Sequence, residues 1–255
     1  MNVWPIFKKE LRSYLGSPIA YVVGAIFAVI SGYFFYSILS FFHLMSVQAG
    51  FNPAMAGQLN ITEGVLRPFL RNLSVVMLLM MPALTMRLLA EEKKSGTIEL
   101  LLTFPVRDLD VLLGKYLAAV TLFAGMLAIT VLSPLLLVPL VRLEWGPLFS
   151  GYLGLLLLGM AFIALGVLTS SLTENQVVAA VAAFGALLLF WVIAWSADVA
   201  GAGIGKVLQH LSIIGHYDSF SKGVLETKDV VYYLNFIIFC LFLTLRALES
   251  KRWRG

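Results

Sequence analysis

Three side chains near the C-terminal third, His210, His216 and Asp218, are the residues of this chain best suited to hold a metal or pass a proton. Imidazole and carboxylate supply both kinds of chemistry, but their spacing matches no standard metal-binding pattern. Gly205-Lys206 has the beginning of a phosphate-binding loop. The comparison fails because Ala200 stands at the first glycine position and Val207 replaces the hydroxyl residue that would hold magnesium. Cys240 is the single cysteine, which excludes an intrachain disulfide and a cysteine-based metal site. The densest charge lies elsewhere, in "EEKKSGTIELLLTFPV", residues 91 to 106. Four charges there precede a short leucine-rich stretch that ends at Pro105, a layout suited to gripping another protein rather than to catalysis.

If Thr97 to Phe104 form one helix, Ile98, Leu101 and Leu102 share a face, while Glu99 and Thr103 share another. Glu91, Glu92, Lys93 and Lys94 then extend the end of the preceding span, and Asp108 caps the start of the next. An apolar anchor inside a charged rim is how an interface concentrates its binding energy and sets its register. The other reading is a solvated charged loop. The apolar face discriminates between them, because a loop bathed in water has no use for Leu101.

The elements around this stretch are membrane spans. Of 255 residues, 60% are hydrophobic and 13% charged, where a soluble domain carries about 25% charge. Apolar runs long enough to cross about 30 Å of hydrocarbon fall at roughly 18–42, 68–90, 111–140, 148–171, 176–196 and 229–248. The expected fold is therefore an all-α membrane protein with six transmembrane helices in one domain, 1–255. The second span works only if Arg71 and Arg87 snorkel to opposite interfaces. Pro82 is expected to kink it. Residues 43–66 read as an outer loop without pattern.

Lys and Arg retained on cytoplasmic flanks give the orientation. Lys8, Lys9 and Arg12, then Arg87, Lys93, Lys94, Arg107 and Lys115, then Arg246, Lys251, Arg252 and Arg254 lie on one side. Only Arg67, Arg71, Arg142, Lys206, Lys222 and Lys228 lie on the other. Both termini are expected in the cytoplasm, and with them the 91–106 cluster. The modest positive balance suits anionic lipid and gives no support to nucleic-acid binding.

Residues 2 to 15 place Trp4, Phe7, Leu11 and Tyr14 at helical spacing among basic residues, the pattern of an interfacial helix that precedes an uncleaved first span. Ser17 and Pro18 read as N-cap and first-turn proline. Between spans four and five only "SLTENQ" intervenes, with Thr173 and Gln176 at capping-box spacing. The outer segment of about 197–228 sets Val207, Leu208, Leu211, Ile214 and Tyr217 mostly on one face, as for an amphipathic or re-entrant piece. No carboxylate or histidine lies inside a span, which argues against ion-coupled transport. Ser31, Ser37, Ser74, Thr85, Thr121, Thr130, Ser133 and Asn235 are the polar side chains there; any of them can satisfy a neighbouring backbone carbonyl, and packing is the expected role for most.

The quoted stretch, followed by "LGKYLAA", then "SSLTENQVVAA", "IIGHYDSFSKGVLETKDVVYYL" and a terminal "LTLRALESKRW", resembles the permease subunits of ABC-2 type transporters, nearest to the gliding-motility-associated permeases. The resemblance covers nearly the whole chain. It implies a bacterial inner-membrane protein in which two permeases, identical or related, pair above two cytoplasmic ABC ATPase subunits. ATP and magnesium are then bound by the ATPase, and this chain holds no cofactor, metal or catalytic residue. The resemblance assigns ATPase coupling to Glu91, Glu92, Lys94, Gly96, Thr97, Ile98, Glu99, Leu101, Leu102 and Thr103, with Thr173, Glu174 and Asn175 as a second contact. It makes the N-terminal helix an elbow and residues 204–225 surface or re-entrant helices. Two functions stay open: a permease exporting a hydrophobic, lipid-like or polymeric substrate, and a mechanotransmitting subunit that moves outer partners, among them a membrane-anchored accessory subunit. A membrane enzyme lacks a catalytic cluster.

Overall fold

The computed structural model describes residues 3–51, 60–97, 107–141, 143–199 and 201–252, and every regular element among them is helical. Six helices are long and apolar enough to cross a membrane: Pro18–Phe51, Thr62–Lys94, Asp108–Leu135, Trp145–Leu172, Gln176–Ile193 and Thr227–Ser250. The chain is a multi-pass membrane protein.

Helix α1 (Val3–Gly16) precedes α2 (Pro18–Phe51), with Ser17 alone between them. Pro18 has no N–H to leave unpaired, so it suits the first turn of α2. At 34 residues, α2 is about 50 Å long. It continues nine residues past the expected end of span one, so the loop reading of 43–66 fails at both ends: helix runs to Phe51, and a π-helical turn, Thr62–Leu66, begins the second crossing, while 52–59 lie outside the described residues. That crossing is made of α3 (Arg67–Thr85) and α4 (Arg87–Lys94), interrupted at Met86. α3 runs unbroken through Pro82.

The third crossing is α5 (Asp108–Thr130) with the short α6 (Leu132–Leu135). It ends before Pro139, in turns, rather than at residue 140. Asp108 is a first-turn residue and not the cap; Arg107 holds that position with extended backbone. α7 (Trp145–Leu172) and α8 (Gln176–Val199) form a tight hairpin. The outer segment divides into α9 (Gly201–Leu211) and α10 (Gly215–Ser221), before α11 (Thr227–Arg252). The single apolar face expected there is split by the intervening turn. Ile213, Tyr217 and Phe220 are buried, while Val207 and Leu211 are exposed.

α7 is the axis of the bundle. Its most apolar window is 78% buried and that of the second crossing 67%, against 22% for α2, α8 and α11. The sequence explains this: Gly151, Gly154, Gly159, Ala161, Ala164 and Gly166 keep the surface of α7 flat, and in lipid close backbone approach is what holds helices together. The other three spans leave apolar side chains outward, which hydrocarbon tolerates at no cost. Five of the span hydroxyls turn inward on their own helix: Ser31, Ser74, Thr85, Thr121 and Thr130 each donate to a carbonyl three or four residues back. We call the end of the bundle that carries α1, α4 and the α7–α8 turn the base, and the opposite end the apex.

Candidate functional site at the base of the bundle

Charge enters the bundle at its base. α1 lies directly on the start of α5, and Gly114 permits it: a Cβ there would sit 2.7 Å from Ile6 Cγ2 and 3.2 Å from the Phe7 backbone nitrogen. This approach brings Glu10 beside Lys115, the residue after that glycine. Lys115 Nζ donates to Glu10 Oε1 at 3.1 Å and to Glu92 Oε1 at 2.7 Å, and its side chain is only 2% exposed. One ammonium thus ties together the N-terminal helix, the end of the second crossing and the start of the third. Two carboxylates on one cation leave a surplus of negative charge, and Glu92 Oε2 is buried without a hydrogen-bond partner among the described residues.

Neighbouring contacts stiffen the same corner. Tyr14, also on α1, donates its hydroxyl to the Leu84 carbonyl at 3.1 Å. Burial pushes its pKa well above the usual phenol value; Glu10 adds to the rise and Arg87 opposes it, so the group stays a donor. Arg87 reaches Ser17 Oγ at 2.8 Å and Glu91 at 3.4 Å. Between α1 and α4 remains a cavity of about 250 Å³, lined by both partners of Lys115 and by Arg87 and Glu91.

The interruption of the second crossing has a specific cause. In an α-helix the amides of Leu89 and Ala90 point back at residues 85 and 86. Here both donate to Ser170 Oγ, at 3.1 and 3.0 Å, and that hydroxyl donates to the Met86 carbonyl at 2.9 Å. A side chain of α7 is therefore seated in the junction of α3 and α4. One turn earlier, Gly166 lets Thr85 lie against α7: an added Cβ there would fall 2.7 Å from Thr85 Cβ. Lys93 completes the seam by donating Nζ to the Ser171 carbonyl.

α4 ends where its sequence requires. Ser95 N–H closes on the Glu91 carbonyl at 3.0 Å, and Gly96 takes φ +70°, the left-handed geometry that glycine adopts without a Cβ penalty. Thr97 Oγ1 then meets Ser95 Oγ at 2.8 Å. Ile98, Glu99, Leu101, Leu102 and Thr103, with the rest of the expected helix, lie outside the described residues. In the second turn, Asn175 is the N-cap of α8: its Oδ1 accepts from the amides of Val177 at 2.9 Å and Val178 at 3.4 Å. Thr173 does not make the capping box its spacing suggested; its hydroxyl accepts from the Asn175 amide instead. Glu174 stands between them, exposed.

Glu91, Glu92, Lys94, Gly96 and Thr97 thus sit at or just beyond the end of α4, and Thr173, Glu174 and Asn175 in the adjoining turn. Ser170, Lys93 and Ser171 join the two groups. Sequence reasoning gave no place in the site to Glu10, Lys115 or Ser170, and counted Lys115 only toward orientation. "LGKYLAA" carried a signal for the second, since a lysine after a glycine and within an apolar run needs a buried counter-charge. For Ser170 there was none, because a serine in a span is ordinarily bonded to its own helix.

At the apex, His216 Nδ1 lies 2.7 Å from Asp229 Oδ1, and Nε2 lies 3.1 Å from the His210 carbonyl. The Tyr232 ring stacks on the imidazole at 3.9 Å. The carboxylate that meets His216 is thus Asp229, not Asp218, which pairs with Lys222. Among the described residues no three His, Cys, Asp or Glu side chains gather as a metal site. The dyad ties α10 to α11.

No curated protein matches the chain in sequence. A profile of the ABC-2 family transporter proteins matches residues 4–251, nearly the whole length, including the buried lysine, the seam and the paired turns. The chain is a member of the ABC-2 transporter family, a membrane permease subunit whose family works with ABC ATPase subunits.

Proposed function

We propose that the base faces the cytoplasm and is the receiver of ATPase motion. Both termini are then cytoplasmic, in a bacterial inner membrane. Residues 91–103 dock into the ATPase through Ile98, Leu101 and Leu102, with Thr173, Glu174 and Asn175 as the second contact. ATP and magnesium stay in the partner. One observation carries this reading: the Ser170 hydroxyl pins the α3–α4 junction to α7, so a push on α4 reaches two crossings through a discrete break. A joint that takes two positions is what lets binding at one site bias a membrane assembly at another.

Two permeases above two ATPases is the assembly we propose. The branch is the gliding-associated one, with an outer-facing accessory subunit. The span hydroxyls that turn back on their own helices support a hydrophobic, lipid-like or polymeric export substrate, because they leave little in one copy to hold a hydrated ion. They support equally the second reading, a subunit that transmits force to outer partners and passes nothing.

The test is co-purification and reconstitution with the cognate ATPase. Leu101→Asp is expected to abolish association, while Ser170→Ala keeps association and loses stimulation of ATP hydrolysis by the membrane subunit. Retained association in Leu101→Asp would end the docking assignment. Stimulation of the wild-type complex by candidate lipids favours export; full activity without any such response favours force transmission.

A further inference from the structure

At the apex, the start of the second crossing, α8 and the α9–α10 pair leave a cleft of about 600 Å³. Its wall is mixed. Pro68, Trp191 and Ile214 give an apolar side, and Arg67, Arg71, Asn72 and Gln209 a polar one. The acidic residues of the wall are already engaged, Glu63 with Arg67 and Asp218 with Lys222. Arg71 is not: its guanidinium has neither an ion-pair nor a hydrogen-bond partner among the described residues, so the wall is left with one unanswered positive charge.

A second group there also lacks a partner. Tyr217 forms part of the wall and is 2% exposed, and its hydroxyl is buried without a hydrogen-bond partner among the described residues. Burial, then Tyr152 and Asp218, push its pKa well above the phenol value, so it offers an O–H. A buried donor left unmade costs about 1–3 kcal/mol, and an arginine facing a cleft offers two parallel donors that match a pair of oxygens on a carboxylate or phosphate. The missing species is an acceptor with negative charge. Depth identifies its setting. Arg71 lies 21 residues along the crossing from Glu92, about 30 Å of helix, which equals the hydrocarbon thickness. With Glu92 at one boundary, Arg71 stands at the headgroup level of the other.

We propose that this cleft binds the phosphate-ester headgroup of an anionic lipid of the apical leaflet. Arg71 supplies the charge and its two-pronged donor, Tyr217 and the amides of Asn72 and Gln209 supply hydrogen bonds, and Trp191 lies along the glycerol and acyl region. The site does not depend on which substrate, if any, the permease moves, nor on the ATPase contacts at the base.

The experiment uses the purified full-length chain in mixed micelles of detergent and phosphatidylcholine, with phosphatidylglycerol brominated on its acyl chains as probe and tryptophan quenching as readout. Selective quenching by the brominated phosphatidylglycerol over brominated phosphatidylcholine is expected, and Trp191→Phe removes most of it. Arg71→Gln lowers the relative affinity about tenfold, near the low end for hydrogen bonds to a charged group, and Tyr217→Phe about threefold, the range of an ordinary hydrogen bond. Arg71→Lys falls between, and Lys228→Gln, whose charge is spent on Glu226 away from the cleft wall, changes nothing. Brominated diacylglycerol, which lacks the phosphate, shows no selectivity. Equal quenching by the two phospholipids in the wild type, or unchanged affinity in Arg71→Gln, overturns the site. Displacement by millimolar inorganic phosphate upholds the anion site but overturns the lipid as its source.

Discussion

The two ends of the bundle place their basic side chains in opposite settings. At the base, Lys115 is almost wholly removed from solvent and bonded by carboxylates from two other helices. At the apex, Arg71 is exposed beside an open cleft and has no partner among the described residues. A cation is kept in a low-dielectric interior only when paired, as Lys115 is, so it is structural and its removal is felt by the fold. An unanswered charge at a boundary contributes little to folding and is free to serve a ligand. The contrast suits the two proposals made above, a base that receives ATPase motion and an apex that holds a lipid headgroup.

That contrast can be broken most sharply at Lys115. Lys115→Met leaves Glu10 and Glu92 facing each other in the interior, and a loss of about 3–5 kcal/mol in unfolding free energy is expected, the range for a broken buried pair. Thermal unfolding in detergent measures it. The triple change that also converts Glu10 and Glu92 to glutamine should recover most of the loss, since it removes the uncompensated charge; no recovery would mean that lysine packing, not charge, is at issue.

The seam between α7 and the second crossing is expected to be next. Gly166→Ala drives a methyl into Thr85, and overpacking of a filled site costs about 1–3 kcal/mol. Thr85→Ala in the same chain should return the melting temperature toward wild type. Ser170→Ala removes one hydroxyl that serves two amides and a carbonyl, and should cost about 1 kcal/mol. Its larger effect belongs in ATPase stimulation, which distinguishes a joint from mere packing. Smallest of all, Arg71→Gln at the apex should leave stability within about 0.5 kcal/mol, as surface changes do. A drop comparable to that of Lys115→Met would erase the distinction between the two ends.

Much of the architecture was legible along the chain. Six apolar runs gave six crossings because a hydrocarbon slab imposes length and hydropathy on every span. Their ends were less legible. α2 outruns the slab by two turns or more, and the residues that carry it, from His43 to Phe51, have no helix stop signal that hydropathy alone would register. Pro82, the one residue of the second crossing that reads as a perturbation, lies inside a continuous helix, and the interruption lies at Met86, where a serine from another helix enters the amide ladder. The capping of α8 went to Asn175 rather than Thr173 because position against the first turn, not spacing to a glutamine, decides which oxygen reaches the orphan amides.

By itself the sequence determined that this is a six-span helical membrane protein, that its charge concentrates at one end, and that "EEKKSGTIELLLTFPV" is an unusual meeting of charge and leucine. These follow from composition and periodicity, which are properties of each segment alone. Only the tertiary structure decided that Lys115 answers Glu10 and Glu92, that Ser170 sits in the α3–α4 joint, and that Arg71 and Tyr217 share one cleft. Those pairings join residues 105 and 23, 80, and more than 140 positions apart, and electrostatic and hydrogen-bond energies depend on distance in space, which no local pattern encodes.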